Sequence, residues 1–318
     1  MALTIDTPFC TVAHGADTYR LAMLVAGDAF PMESPPVKII TGALAGYGYT
    51  LGQNLEFRSY GGGADAQLSG LPQLAKDIAA TGVDAVVVFG WPPANAMKAT
   101  GVPTVVAVGA GDPVATGLVA SLARPGGNVT GISDNATTLS TKRLELLKQT
   151  KPNIRKVAML WNKDDLGMTL RYQASADAAK SLGSAVQPLG VREPDDFADA
   201  FTAMDRDSPD AILMVADALT ILNRKRVFDY AAAHRLPAIY EQDLFVRDGG
   251  LMSYGADFKE SLERAAFLID RIFKGSKPAD LPFEEPTHYL FVVNLKTAKS
   301  IGLELPPNLL ALADEVIE

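Results

Sequence analysis

The sequence predicts an α/β protein built of two doubly wound, Rossmann-like lobes with mainly parallel sheets, and three observations lead there. Short β-branched apolar runs alternate with longer helical patterns, as expected for strands buried on both faces and joined by crossover helices. The pattern restarts at 155–161, a stretch that echoes the opening strand at 20–26. At 318 residues the chain also exceeds the usual domain of roughly 100–200 residues, so two compact lobes are expected.

Each element follows from local pattern. A first strand is expected over 20–26, helical spacing over 37–49, and a strand-like stretch over 56–60 that ends in Gly61-Gly62-Gly63. That triple glycine reads as a flexible turn, since no strand here runs into a helix-opening G-x-G-x-x-G pattern. A helix over 67–80, a strand over 84–89, a helix over 94–100 and a strand over 103–108 complete the first run. The helices end near glycine, a common C-cap. Residues 111–131 then join a polar turn, a short helix and a second turn. The restart at 155–161 leads into a polar turn at Asn162-Lys163-Asp164-Asp165 and a helix. Strands over 211–215 and 236–240 come next, separated by a helix over 226–234. Two such lobes leave a cleft between the C-terminal edges of their sheets, where open α/β sheets bind ligands.

Composition narrows the function classes. A net charge of -8 and a sequence pI near 5.0 speak against a nucleic-acid surface, which needs clustered Lys and Arg. The single cysteine, Cys10, excludes an internal disulfide and a cysteine metal cluster. No apolar run approaches the roughly 18–20 residues that span a bilayer. The N-terminal residues lack a basic stretch followed by an apolar core, so an exported form is expected to have lost or exchanged its signal.

Motifs for catalysis are sparse. His14, His234 and His288 lie far apart and form no metal-binding pair. Neither a G-x-S-x-G elbow nor a G-x-x-x-x-G-K-[ST] loop occurs. These absences favour a binding protein without cofactor or metal over an enzyme, although residues distant in sequence can converge on a catalytic site.

The most specific segment of the chain is 111–131. Asp112-Pro113-Val114, then Ser121-Leu122-Ala123-Arg124-Pro125-Gly126-Gly127-Asn128, then Thr130-Gly131 come after the strand at 103–108. This order closely resembles the tryptophan/tyrosine-type substrate-binding proteins of bacterial ABC importers. The resemblance returns at 142–148, at Gly249-Gly250-Leu251-Met252-Ser253-Tyr254-Gly255, at 272–282, and in the closing stretches 294–299 and 313–317. It covers nearly everything from residue 20 onward. It implies a type I periplasmic-binding-protein fold, with a three-segment hinge near 132–136, 252–256 and 283–288. The expected division is an N-terminal extension at 1–19, a first lobe from 20–133 plus 256–284, and a second from 134–255 plus 285–318. The resemblance further implies a periplasmic or other extracytoplasmic location and, as partners, a membrane permease with a cytoplasmic ATPase. A monomer is expected.

Candidate ligand residues lie at the ends of the predicted strands. Trp91, Pro92 and Ala94 open a helix whose free backbone N–H groups and positive dipole end are placed to receive a carboxylate. The plainer role is a proline-started helix with Trp91 covering the core edge; family members more often carry Gly-Thr or small residues at this turn. Asp112 either caps the helix expected after it or meets a ligand amine. Asp134, at the first crossover, either faces the cleft or satisfies hinge backbone. Asp217 and Glu241 each come directly after a strand of the second lobe and are placed to pair with an ammonium group. Their plainer roles are a helix cap and a solvated loop residue. Tyr254 at the second crossover either contacts ligand or packs the hinge. Asp28 and Asn162 occupy equivalent loops of the two lobes, and neighbouring Trp161 reads more as a core-edge residue than a ligand contact. Met32 lies with Phe30 in a long proline-rich loop and suits an aromatic or apolar ligand.

The combined expectation is an extracytoplasmic solute-binding protein that closes by hinge bending around a small carboxylate-bearing ligand, an aromatic amino acid or related aromatic acid. Trp91, Trp161 and Tyr254 are the aromatics expected to flank the ring. Two other classes fit the same two lobes: a cytoplasmic enzyme acting on a nucleotide or sugar, and a ligand-sensing module of a regulator. A repressor would need an N-terminal helix-turn-helix, for which residues 1–19 are too short.

Overall fold

The computed structural model describes residues 18–63, 68–133 and 135–318. The chain opens with β1 (Tyr19–Val25), α1 (Pro35–Gly46), β2 (Leu55–Gly61), α2 (Leu71–Ala80), β3 (Ala85–Phe89), α3 (Trp91–Lys98), β4 (Thr104–Val108) and β5 (Val129–Gly131). These strands form a wholly parallel sheet in the order β2-β1-β3-β4-β5.

The second run comprises α4 (Ala136–Thr150), β6 (Lys156–Asn162), α5 (Leu166–Ser181), β7 (Ala185–Val191), α6 (Asp196–Arg206), β8 (Ala211–Met214), α7 (Ala218–Leu222), α8 (Arg224–Ala233), β9 (Ala238–Tyr240), α9 (Asp243–Arg247) and β10 (Met252–Ala256). Next, α10 (Phe258–Phe273) packs against α1 and the first sheet. The second sheet is completed by β11 (Tyr289–Asn294), α11 (Leu295–Ser300), α12 (Pro307–Leu310) and β12 (Glu315–Ile317). Its order is β12-β11-β10-β9-β8-β6-β7, with β10–β11 as the antiparallel pair. The stretch β7-β6-β8-β9-β10 repeats the order of the first sheet, which accounts for the echo between 20–26 and 155–161.

Burial explains why these segments are strands. Leu21, Met23 and Val25 of β1 enter one core while Ala22, Leu24 and Ala26 enter the other, the period of two that a sheet covered on both faces imposes. In β6, Val157, Met159 and Trp161 divide in the same way from Ala158 and Leu160. Proline at the first positions of α1, α2 and α3 suits a turn whose N–H groups have no helical partner; this moves the start of α3 back to Trp91 from the expected residue 94. The Asp257 carboxylate accepts from Lys259 and Glu260 N–H at the start of α10, an N-cap that sets where the chain turns back toward the first sheet.

One expected element does not form. The short helix anticipated after Asp112 is a series of turns. Thr116 N–H reaches Asp112 O and Val119 N–H reaches Pro113 O, but Gly117 adopts φ +69°, a left-handed conformation that ends a helix.

The chain passes between the sheets after β5, after β10 and before β11. At the second passage Gly255 lies against the carbonyl of Glu241: a Cβ at residue 255 would sit 1.8 Å from that oxygen. We expect Gly255→Ala to cost at least about 3 kcal/mol by urea denaturation, above the usual range for overpacking because the obstacle is backbone. A loss within about 0.5 kcal/mol would show that the two segments can separate.

Candidate ligand cleft

Each sheet reverses its strand order once, between β1 and β3 in the first and between β6 and β8 in the second. Loops leaving strands at such a switch point diverge and open a crevice. The two crevices face one another. A Cβ on Gly27, after β1, would lie 3.9 Å from the Ala218 Cβ of α7. Gly111 has φ +67°, and a Cβ there would lie 2.9 Å from the Gly167 Cα at the start of α5. On Gly167, a Cβ would come 3.2 Å from the Trp91 Cβ. Glycine at 111 and 167 lets backbone approach backbone across the lobe interface, whereas Gly27 makes ordinary packing contact.

Beside this contact is a cavity walled by both lobes. From the second lobe it is lined by Arg143, Arg171, Glu241 and Gln242. Glu241 is buried at 6% exposure and the two arginines at 2%. Arg143 Nη1 donates to Glu241 Oε1 at 3.0 Å, and Arg171 Nη1 to Oε2 at 2.7 Å. Ala216 N–H donates to the same Oε2 at 2.9 Å, and Arg143 Nε to the Tyr254 carbonyl at 2.7 Å. Burial alone pushes the Glu241 carboxyl up, but the charges of Arg171 and Arg143 and these hydrogen bonds hold it below the ordinary range. Glu241 is therefore not the solvated loop residue of the plainer sequence reading, and the ammonium role expected of it is taken by two guanidinium groups. The Gln242 amide makes no hydrogen bond among the described residues.

A second polar group underlies the lobe contact. Asp165 and Asp217 cap α5 and α7, accepting from Met168 and Thr220 N–H at 3.2 and 2.8 Å. Thr220 completes a capping box. Asn162 Nδ2 donates to Asp217 Oδ2 at 2.7 Å. Burial, then the neighbouring charge of Asp217, pushes the Asp165 carboxyl up to about 7. Burial also raises Asp217, against the pull of its hydrogen bonds from Thr220 and Asn162.

The first lobe presents different chemistry. Ala107, Val108, Gly109 and Ile132 line the cavity with Phe258 and Ser261 of α10. Phe30, Phe89 and Phe258 form a run of rings, with centroids 5.3 and 6.4 Å apart. At the start of α3, Pro92 and Pro93 have no N–H and Ala94 N–H already points to Gly90 O, so Trp91 supplies the one free donor of the first turn. The carboxylate cradle expected at Trp91, Pro92 and Ala94 is thus not built. The Trp91 indole N–H is buried without a partner among the described residues.

Asp112 caps its own turn, accepting from Val114 and Ala115 N–H. Asp28 and Met32 are exposed. Trp161 stacks on Tyr172 with centroids 3.7 Å apart, a core-edge role. Tyr254 is half-buried, and its ring lies 6.3 Å from Tyr289. Asp134 lies outside the described residues.

Arg143 and Arg171 escaped the sequence reading, although a signal was there. Arg143 interrupts the buried stripe of Leu139 and Leu147, and Arg171 that of Met168 and Ala178; an arginine at a core position of a helix needs a buried partner. No group of three or more His, Cys, Asp or Glu side chains suited to a metal occurs among the described residues.

Facing switch points joined by three chain passages define a two-lobed fold of the type I periplasmic-binding-protein kind. The chain belongs to the family described as ABC transporter substrate binding protein, whose model matches residues 23–317; this is a family of binding proteins and not of enzymes. It is 26% identical over 193 residues to a tyrosine-binding protein of Clostridioides difficile (strain R20291), spanning 61% of this chain and 55% of that relative's length. Among solved structures, it superposes on an ABC domain in complex with L-Trp from Streptococcus pneumoniae with a TM-score of 0.83 at 24% identity, covering 95% of this chain and all of that one. A conserved domain protein from Vibrio cholerae gives 0.84 at 23% identity, covering 94% and 100%.

The raised aspartates set a pH dependence. The unfolded chain loses the Asp165 proton near the ordinary value of 3.8, whereas the folded chain keeps it to about 7. Stability should therefore fall as pH rises across that window and level off above it. Glu241 acts oppositely, its contribution disappearing only as pH falls below the ordinary glutamate range. Between pH 5 and 7 we expect unfolding free energy to decline by up to about 1.4 kcal/mol per pH unit from Asp165. Asp165→Asn, which retains a capping oxygen, should remove that slope in urea titrations; an unchanged slope would assign it elsewhere.

Proposed function

We propose that this protein is the extracytoplasmic solute-binding component of an ABC importer. It takes a small carboxylate-bearing ligand, an aromatic amino acid or related aromatic acid, into the interlobe cleft and closes by hinge bending. The observation that carries this reading is the meeting of two switch-point crevices beside a cavity walled by both lobes, in a chain of this family. The tyrosine and L-Trp named for two of its relatives support the aromatic class.

In this reading the lobes are 20–133 plus 256–284 and 134–255 plus 285–318, and they turn about the three passages between the sheets. Arg143 and Arg171 offer planar donors that match a carboxylate. Asp217, beside Asp165 and Asn162, receives the ammonium group of an amino acid. Trp91 and Met32 flank the aromatic body, and Tyr254 stands at the passage between the lobes, at the end of the ligand nearer its head. A membrane permease with its ATPase reads the closed shape.

Thermal-shift screening followed by calorimetry tests this reading with L-tryptophan, L-tyrosine, indole-3-acetate, sugars and nucleotides. A ligand of the native state adds about 2.7 kcal/mol at 100 times Kd. We expect L-tryptophan or L-tyrosine to raise the unfolding temperature, and Asp217→Ala to weaken either amino acid at least tenfold. Stabilisation by nucleotides alone would favour the enzyme class instead.

A further inference from the structure

The two walls of the cavity differ in kind. Apart from Ala256 at the end of β10, every residue of the second sheet's side that lines it is charged or carries an amide: Arg143, Arg171, Glu241 and Gln242. The first-lobe wall is Ala107, Val108, Gly109, Ile132 and Phe258 with two serines, and those serines serve nearby backbone. Ser261 Oγ donates to Asp257 O at 2.9 Å, and Ser133 Oγ accepts from Asn135 N–H at 3.2 Å. The asymmetry extends to the switch points. Asn162, Asp165 and Asp217 stand on the second lobe, whereas the first lobe opposes them with Trp91, Pro92 and Pro93.

Resting on the solute-binding reading above, we propose that the second lobe holds the ionised head of the ligand while the first lobe receives its apolar body, and that Phe258 sets which bodies are accepted. Phe258 is half-buried at the head of α10, with Phe89 behind it and Phe30 beyond. Its ring is thus held in place and offers a face or edge to an aromatic group. A body carrying a second charge or several hydroxyls would lose water against Val108, Ile132 and Phe258 and find no partner there.

Titration calorimetry of the wild-type, Phe258→Ala and Phe258→Leu proteins with L-tryptophan, L-phenylalanine, L-leucine, L-glutamate, L-lysine and D-glucose tests this assignment. The readout is the ratio of affinities within each variant, which a general loss of stability leaves unchanged. We expect wild-type protein to bind the apolar amino acids, with L-tryptophan or L-phenylalanine at least tenfold tighter than L-leucine. Phe258→Ala should shrink that ratio to about threefold or less, and Phe258→Leu should fall between. Tightest binding of L-glutamate, L-lysine or D-glucose, or an unchanged ratio in Phe258→Ala, would overturn the division of the walls while leaving a solute-binding protein. Binding of none of the six to wild-type protein would overturn the solute-binding reading, and the inference with it.

Discussion

The buried carboxylate of Glu241, held between Arg143 and Arg171, is the constraint on which the cleft depends. Removing a carboxylate and a guanidinium from water costs several kcal/mol per ion, and mutual attraction offsets this only when the geometry is good and further hydrogen bonds complete the set. Here Ala216 N–H and the Tyr254 carbonyl complete it. The participants come from α4, α5, the ends of β8 and β9, and β10, so one ion network fixes the second lobe's cleft edge. Two of those elements, α4 and β10, also adjoin passages between the sheets. Gly255 adds a backbone constraint at the same residue, since only a residue without Cβ lets β10 run against the Glu241 carbonyl.

The most specific family segment, 111–131, serves a different purpose. Ser121 Oγ and the Arg124 backbone bond within their own turn. Gly126 N–H reaches Ala279 O, and Leu122 O accepts from Phe283 N–H. The 121–131 segment thus fastens the first sheet to the returning chain at 279–284, away from the cavity. This segment builds framework, while other family stretches reach the cavity through Arg143; side chains lining the cleft can vary on such a framework, which is how one fold comes to serve many ligands. The close backbone approach of Gly111 to Gly167 belongs to a third group, whose role is to let the lobes meet.

The fold was legible because its strands are buried on both faces and write themselves as apolar runs; β1, β3, β4, β6 and β8 were all visible in this way. Local chemistry was legible where it acts at short range, as with the caps at Asp112 and Asp217. The illegible part depended on residues that meet only in three dimensions. Glu241 looked like an exposed loop carboxylate because its partners, Arg143 and Arg171, lie 98 and 70 positions away. The α3 start looked like an anion site from its place after β3, yet the two prolines that begin it also remove its donors. The edge strands β7, largely half-exposed, and β12, three residues long, carry weaker apolar patterns and were set by pairing with their neighbours, whereas β11 carries an apolar run that was there to be read.

The most direct test of the Glu241 network is the equilibrium stability of Glu241→Gln by urea denaturation. Removing the charge leaves two guanidinium groups buried beside a neutral amide, and we expect a loss of about 3–5 kcal/mol, the range for breaking a buried ion pair from one side. A variant within about 0.5 kcal/mol of wild type would mean that the arginines reach other partners or water without cost, and that the cleft edge is held by something else.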